Sequence, residues 1–148
     1  MMACRIVPIL LFLFSTFAYA NDELILEVTG STPAPIVALA PSDPGDVPDV
    51  AREIDEVLSY DLNFNKHVRL HTDRTTVAAR MAQDRTSGNV DYPAWKRMGA
   101  EYVVDGRVRA DGPSQVVVDL TVHDVRDGMR LLARRFTIPR KQLRQGSH

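Results

Sequence analysis

The sequence predicts an α/β sandwich: a mixed β-sheet with helices packed on it. Three observations predict it. Short apolar or alternating runs at residues 23–29, 35–40 and 68–71 read as strands. Apolar residues at helical spacing separate the second run from the third. The last third of the chain holds three long runs joined by turn residues, the pattern of an antiparallel meander.

Glu23 to Thr29 alternates, with Leu24, Leu26 and Val28 on one face and Glu23, Ile25, Glu27 and Thr29 on the other. Period two marks a half-buried strand. Gly30-Ser31-Thr32-Pro33 breaks it. Pro35 to Ala40 is continuously apolar, which suits a strand covered on both faces. Pro41 to Asp46 carries strong turn chemistry. Val50, Ile54, Val57, Leu58 and Leu62 then share one helical face. Arg52, Glu53, Asp55, Glu56 and Ser59 fill the other, so a helix is expected over Pro48–Asp61. Val68–His71 is a short strand. Between Asp73 and Val90 the pattern is weak and predicts only a helical turn or two over Thr75–Gln83, ended by Ser87-Gly88-Asn89. Tyr92, Trp95 and Met98 mark a second short helix, with Pro93 in its first turn and Gly99 as its stop.

The meander runs as follows. Tyr102–Arg109 places Val104, Gly106 and Val108 on one face. After the turn Asp111-Gly112-Pro113, the next strand aligns Val116, Val118, Leu120 and Val122. Asp127-Gly128 is a hairpin turn, and Met129–Ile138 is the third strand. Pro139 opens a new element, expected to be helical.

The first 20 of the 148 residues read as a secretory signal peptide. Arg5 precedes an apolar run from Ile6 to Phe14, and small residues stand at Ala18 and Ala20, placing a cut after Ala20. The run is too short to span a bilayer. Residues 21–148 then make one domain of ordinary size, which excludes a large multidomain enzyme or a membrane transporter. Apolar residues are 45% and charged ones 25%, so a packed domain is the expectation. The single cysteine, Cys4, falls in the signal segment, ahead of the apolar run. The mature chain therefore has no disulfide, thiol nucleophile, cysteine zinc site or lipid anchor at that residue. Export without disulfides fits a bacterial periplasm.

Net charge is −1, but it is unevenly spread. Residues 21–62 hold ten acidic side chains against Arg52, and residues 126–148 hold seven basic ones against Asp127. These read as solvated faces that neutralise each other. Export, and the lack of interleaved aromatics, argue against nucleic acid.

Little in the chain calls for catalysis. His67 and His71 are four apart, yet they fall on loop and strand with no third ligand nearby, so they read as surface histidines rather than a metal site. His123 shares the polar face of its strand with Asp119 and Thr121 and is expected to be exposed. Asp105 and Asp119 could pair across strands, but nothing sets them at a catalytic distance. No nucleophile elbow or phosphate-binding loop occurs. The expectation is a non-enzymatic interaction domain without cofactor or metal. Its first strand, followed by a Gly/Ser/Thr/Pro hinge, is suited to joining the open edge of a partner sheet.

The ordered segments Leu24–Gly30, Pro35–Pro41, Trp95–Val108, Leu120–Val125 and Lys141–Arg144 resemble the amino-terminal domain of TolB, with Trp95–Val108 the most distinctive. The resemblance implies an anticodon-binding-domain-like α/β fold and a component of the Tol–Pal envelope system, serving outer-membrane integrity and cell division. It implies that Leu24, Ile25, Leu26, Glu27, Val28 and Thr29 bind the carboxy-terminal domain of TolA by strand addition. Family members continue into a six-bladed propeller that binds the lipoprotein Pal. This sequence has no such repeats and is expected to stop short of the domain's last helix, so a Pal contact does not carry over. Pro41-Ser42 departs from the proline and aromatic usual in the family. Curli-secretion and penicillin-binding-protein activator domains are similar in layout, which leaves an envelope-assembly adaptor with another partner as the alternative.

Overall fold

The computed structural model of the chain describes residues 33–143. The expected signal segment and the expected strand over residues 23–29 lie outside the described residues. Within them the order is β1 Ile36–Leu39, α1 Pro48–Phe64, β2 Arg69–Leu70, α2 Arg74–Ser87, α3 Tyr92–Arg97, β3 Tyr102–Asp111, β4 Gln115–Asp124, β5 Met129–Pro139 and α4 Arg140–Leu143.

The strands form one mixed sheet in the order β2-β1-β3-β4-β5. β1 lies parallel to both β2 and β3. β3, β4 and β5 are antiparallel, as the turn chemistry predicts. The chain crosses from β1 to β2 through α1, then returns past β1 to β3 through α2 and α3. Crossovers between parallel strands are right-handed, so two crossovers in opposite directions place their helices on opposite faces. Val37, Ala38 and Leu39 are buried because β1 is covered on both sides.

Two cores result. On one face Val47, Ala51 and Ile54 of the α1 layer pack on Val108, Val116 and Val118. On the other, Val77, Met81 and Trp95 of α2 and α3 pack on Ala38, Ala40, Val103 and Val125.

α1 starts as the sequence indicates, with Pro48 in its first turn and Asp49 near the positive end of its dipole. It runs to Phe64, beyond the expected Asp61. Its inner face is also rotated from the expected one. Ser59, assigned to the solvent side, is buried and accepts from the Arg74 guanidinium at 3.3 Å; Val57, assigned to the core, is 54% exposed. The middle of α1 is tied by Ser42 to the loop that precedes the helix. The Ser42 Oγ–H donates to Asp55 Oδ1 at 2.6 Å and its N–H to Oδ2 at 3.0 Å. Gly106 makes room for this arrangement: a Cβ there would lie 2.3 Å from Ser42 Oγ.

α2 is a full helix of 14 residues, not the turn or two expected. Asp73 caps it, accepting from the Thr76 N–H at 2.9 Å and from its hydroxyl at 2.5 Å. Gly88, at φ 71°, ends it in the left-handed region. The buried stripe is Val77, Met81 and Asp84. An aspartate in the third core position hides the helical period from any hydrophobicity count. α3 is the expected short helix, capped by Asp91.

Candidate functional site

On their face of the sheet α2 and α3 cover β1 and the ends of β3 and β4 nearest to it. The rest of β3, β4 and β5 on that face stays open, and the residues there are polar. By strand register Arg107 faces Asp119, Asp105 faces Thr121, and His123 faces both Val103 and Arg130. Asp105, Arg107, Asp119, Thr121, His123 and Arg130 thus floor a cleft of about 440 Å³. Met81, Asp84 and Arg85 of α2, with Gly88, Asn89 and Val90 just after it, form the wall.

Ion pairs fix most of this cleft. Asp105 pairs with Arg85, whose guanidinium also donates to the Pro41 carbonyl at 2.7 Å and the Gly106 carbonyl at 3.3 Å. Asp119 receives the Arg135 Nε–H and the Arg109 guanidinium, each at 2.6 Å. The hydrogen bond from Arg135 is the main reason its carboxyl is held below the usual carboxylate range. Asp84, 3% exposed, accepts the Trp95 indole N–H at 2.7 Å and the Arg80 guanidinium at 2.6 Å. The two carboxylates that could have formed a catalytic pair, Asp105 and Asp119, are each spoken for by arginine.

His123 is not on an exposed face, as expected, but 8% exposed. Its Nδ1 is 2.9 Å from the Tyr92 hydroxyl, and the two rings meet at a tilt. Tyr92 comes from the start of α3, so the helix that follows the β2 crossover covers the end of β4. Burial pushes the His123 pKa down and the Tyr92 pKa up. His71 also has a structural role, its Nε2 lying 2.9 Å from the Met98 carbonyl, while His67 is exposed. Among the described residues no group of three His, Cys, Asp or Glu side chains could hold a metal ion.

A second surface lies on the opposite face. Ile54 and Leu58 of α1, with Val118, Leu120, Phe136 and Ile138 of β4 and β5, line an apolar groove of about 220 Å³. Beside it runs β5, whose outer edge pairs with no strand among the described residues.

The sequence-derived partner residues Leu24, Ile25, Leu26, Glu27, Val28 and Thr29 lie outside the described residues. The polar cleft and the buried place of His123 were missed. Alternating Asp105, Arg107, Asp119, Thr121 and His123 were visible, but an alternating polar face ordinarily means water.

The family model for the TolB amino-terminal domain matches residues 24–131. This chain belongs to the TolB amino-terminal domain family. Relatives named Tol-Pal system protein TolB agree. The protein from Xanthomonas campestris pv. campestris strain B100 is 31% identical over 143 residues, covering 94% of this chain and 31% of that protein. The one from Alkalilimnicola ehrlichii is 28% identical over 133 residues, covering 88% and 29%. The chain therefore spans about a third of the length of the TolB proteins it matches. The crystal structure of TolB from Acinetobacter baumannii shares the fold at TM-score 0.55 and 19% identity, over 79% of this chain and 26% of that one. So does the LpoB C-terminal domain from Escherichia coli, at TM-score 0.52 and 15% identity, over 78% and 90%. The expected TolB amino-domain type of α/β fold is the one found.

Proposed function

We propose that this chain is a non-enzymatic periplasmic adaptor of the Tol–Pal system, exported with a signal peptide cut after Ala20. It binds the carboxy-terminal domain of TolA through Leu24, Ile25, Leu26, Glu27, Val28 and Thr29, which add as a strand to the partner's sheet. The observation that carries this reading is the family match, which begins at Leu24 and so takes in the alternating segment ahead of β1. Main-chain pairing supplies affinity in this mode, and alternate side chains supply register. The arginine-bound carboxylates of the cleft fit an interaction module better than an acid–base catalyst. Among the described residues no helix is long and apolar enough to cross a membrane.

The test is titration calorimetry of the mature protein against the TolA carboxy-terminal domain. Removing residues 21–30 should abolish binding while leaving the thermal transition of the remaining domain in place. Leu26→Pro, which removes one backbone donor, should weaken binding at least tenfold. Undiminished binding by the deleted protein would refute the strand-addition reading. A second reading, an envelope-assembly adaptor with another partner, draws on the fold shared with the LpoB domain; a pull-down from periplasmic extract that recovers a different protein and no TolA would favour it.

A further inference from the structure

Among the described residues the polar cleft holds two positive charges with no ion-pair partner. Among the described residues Arg85 is paired with Asp105, Arg109 and Arg135 share Asp119, and Arg80 serves Asp84 with Asp91 3.7 Å away. Arg107 and Arg130 stand on the same floor with no carboxylate partner, and both are exposed. With every cleft carboxylate already neutralised by at least one arginine, the two unpaired guanidinium groups leave a net positive cleft in a chain whose net charge is −1.

We propose that this cleft docks an acidic peptide segment of a protein partner, separately from the strand proposed to bind TolA. The spacing of the two arginines sets the ligand. Arg107 lies opposite Asp119 and Arg130 opposite His123, so they are four residues apart along the strands and two strands apart across the sheet. At about 3.4 Å per residue and about 4.8 Å per strand, their backbones are about 17 Å apart. That matches two carboxylate side chains about five residues apart on an extended peptide. Guanidinium groups favour such partners because they bind carboxylates bidentately and are weakly hydrated. Thr121 between the two arginines offers a hydroxyl to the peptide backbone. The ion-paired arginines hold the floor rigid, so little ordering is lost on binding.

The experiment uses the mature protein and fluorescein-labelled hexaglutamate, with hexaglutamine and hexalysine as controls. Hexaglutamate should bind, weaken steeply between 50 and 500 mM NaCl, and shift the NMR amide signals of residues 105–107, 119–123 and 130. Arg107→Gln/Arg130→Gln should lose at least tenfold in affinity. Arg52→Gln, on the exposed side of α1, should not change it. Both cleft arginines are exposed, so the double variant should keep its thermal midpoint. The shift map on the unaltered protein decides the matter should it not. Hexaglutamate shifts elsewhere on the surface, or equal binding by the double variant, would overturn the proposal. So would Arg107- and Arg130-dependent binding to phosphatidylglycerol vesicles without hexaglutamate binding, which would mark a membrane contact instead. None of these outcomes depends on residues 24–29, so the two proposals stand or fall apart.

Discussion

Asp84→Ala should be strongly destabilising, although it removes no apolar side chain from the α2/α3 side of the sheet. Asp84 is a buried carboxylate in a core position, and its oxygens serve three donors: the Trp95 indole, the Arg80 guanidinium and, at 3.3 Å, the Asp91 backbone N–H. Trp95 is 0% exposed, so water cannot replace the lost acceptor. An unsatisfied buried donor costs about 1–3 kcal/mol, and breaking a buried ion pair about 3–5 kcal/mol. The low end applies, because the Arg80 side chain is 19% accessible and Asp91 stands nearby as a substitute. The expected loss is about 3 kcal/mol. Asp84→Asn keeps one acceptor for the indole but sets an NH2 group against the Arg80 guanidinium and the Asp91 N–H, so only part of that loss is recovered. Trp95 is the single tryptophan of the chain, and its emission reports its own burial during urea unfolding. With a slope near 1.5 kcal/mol/M, typical of small domains, the Asp84→Ala midpoint should fall by about 2 M. A loss under about 1 kcal/mol would refute the reasoning, and would mean that apolar packing alone joins α2 to α3.

Two further predictions concern the other parts of the sheet. Gly106→Ala forces a methyl group against Ser42 Oγ and displaces its bonds to Asp55, so a loss of about 1–3 kcal/mol in chemical denaturation is expected. Stability should fall as pH drops below about 6.5, the ordinary histidine value, because burial lowers the His123 pKa in the folded state. The unfolded chain then binds the proton first, so the contribution is complete above the unfolded value and disappears as pH falls through the folded one. His123→Asn should flatten the thermal midpoint between pH 7.5 and 5.5; an unchanged slope would place the pH response on other groups.

How much was legible in the sequence varies with the physics of each element. β1 and the meander were legible because apolar runs and Gly turns report directly on burial and φ. α3 was legible from the spacing of Tyr92, Trp95 and Met98, with Pro93 and Gly99 marking its ends. α2 was not, because its third core position is Asp84, which scores as polar although Trp95 and Arg80 satisfy it. Ser59 and Val57 exchanged their expected sides because α1 is set by the bonds of Asp55 to Ser42 and not by hydrophobicity alone. His123 looked exposed because nothing local foretells that Tyr92, 31 residues earlier, lies over it. The cleft was hidden for the same reason. Arg107 and Arg130, without a carboxylate partner among the described residues, become visible only once the ion pairs of Asp84, Asp105 and Asp119 are known.

The sheet also acts as a partition. Asp84 and Trp95 lie on one side of it and Gly106, Ser42 and α1 on the other, and the two cores share no residue. Substitutions inside the two opposite cores therefore share no packed side chain, and their costs should sum with little coupling. A change that reshapes the arginine-lined face and a change in the α1 layer draw on the same total stability of the domain, each by its own amount.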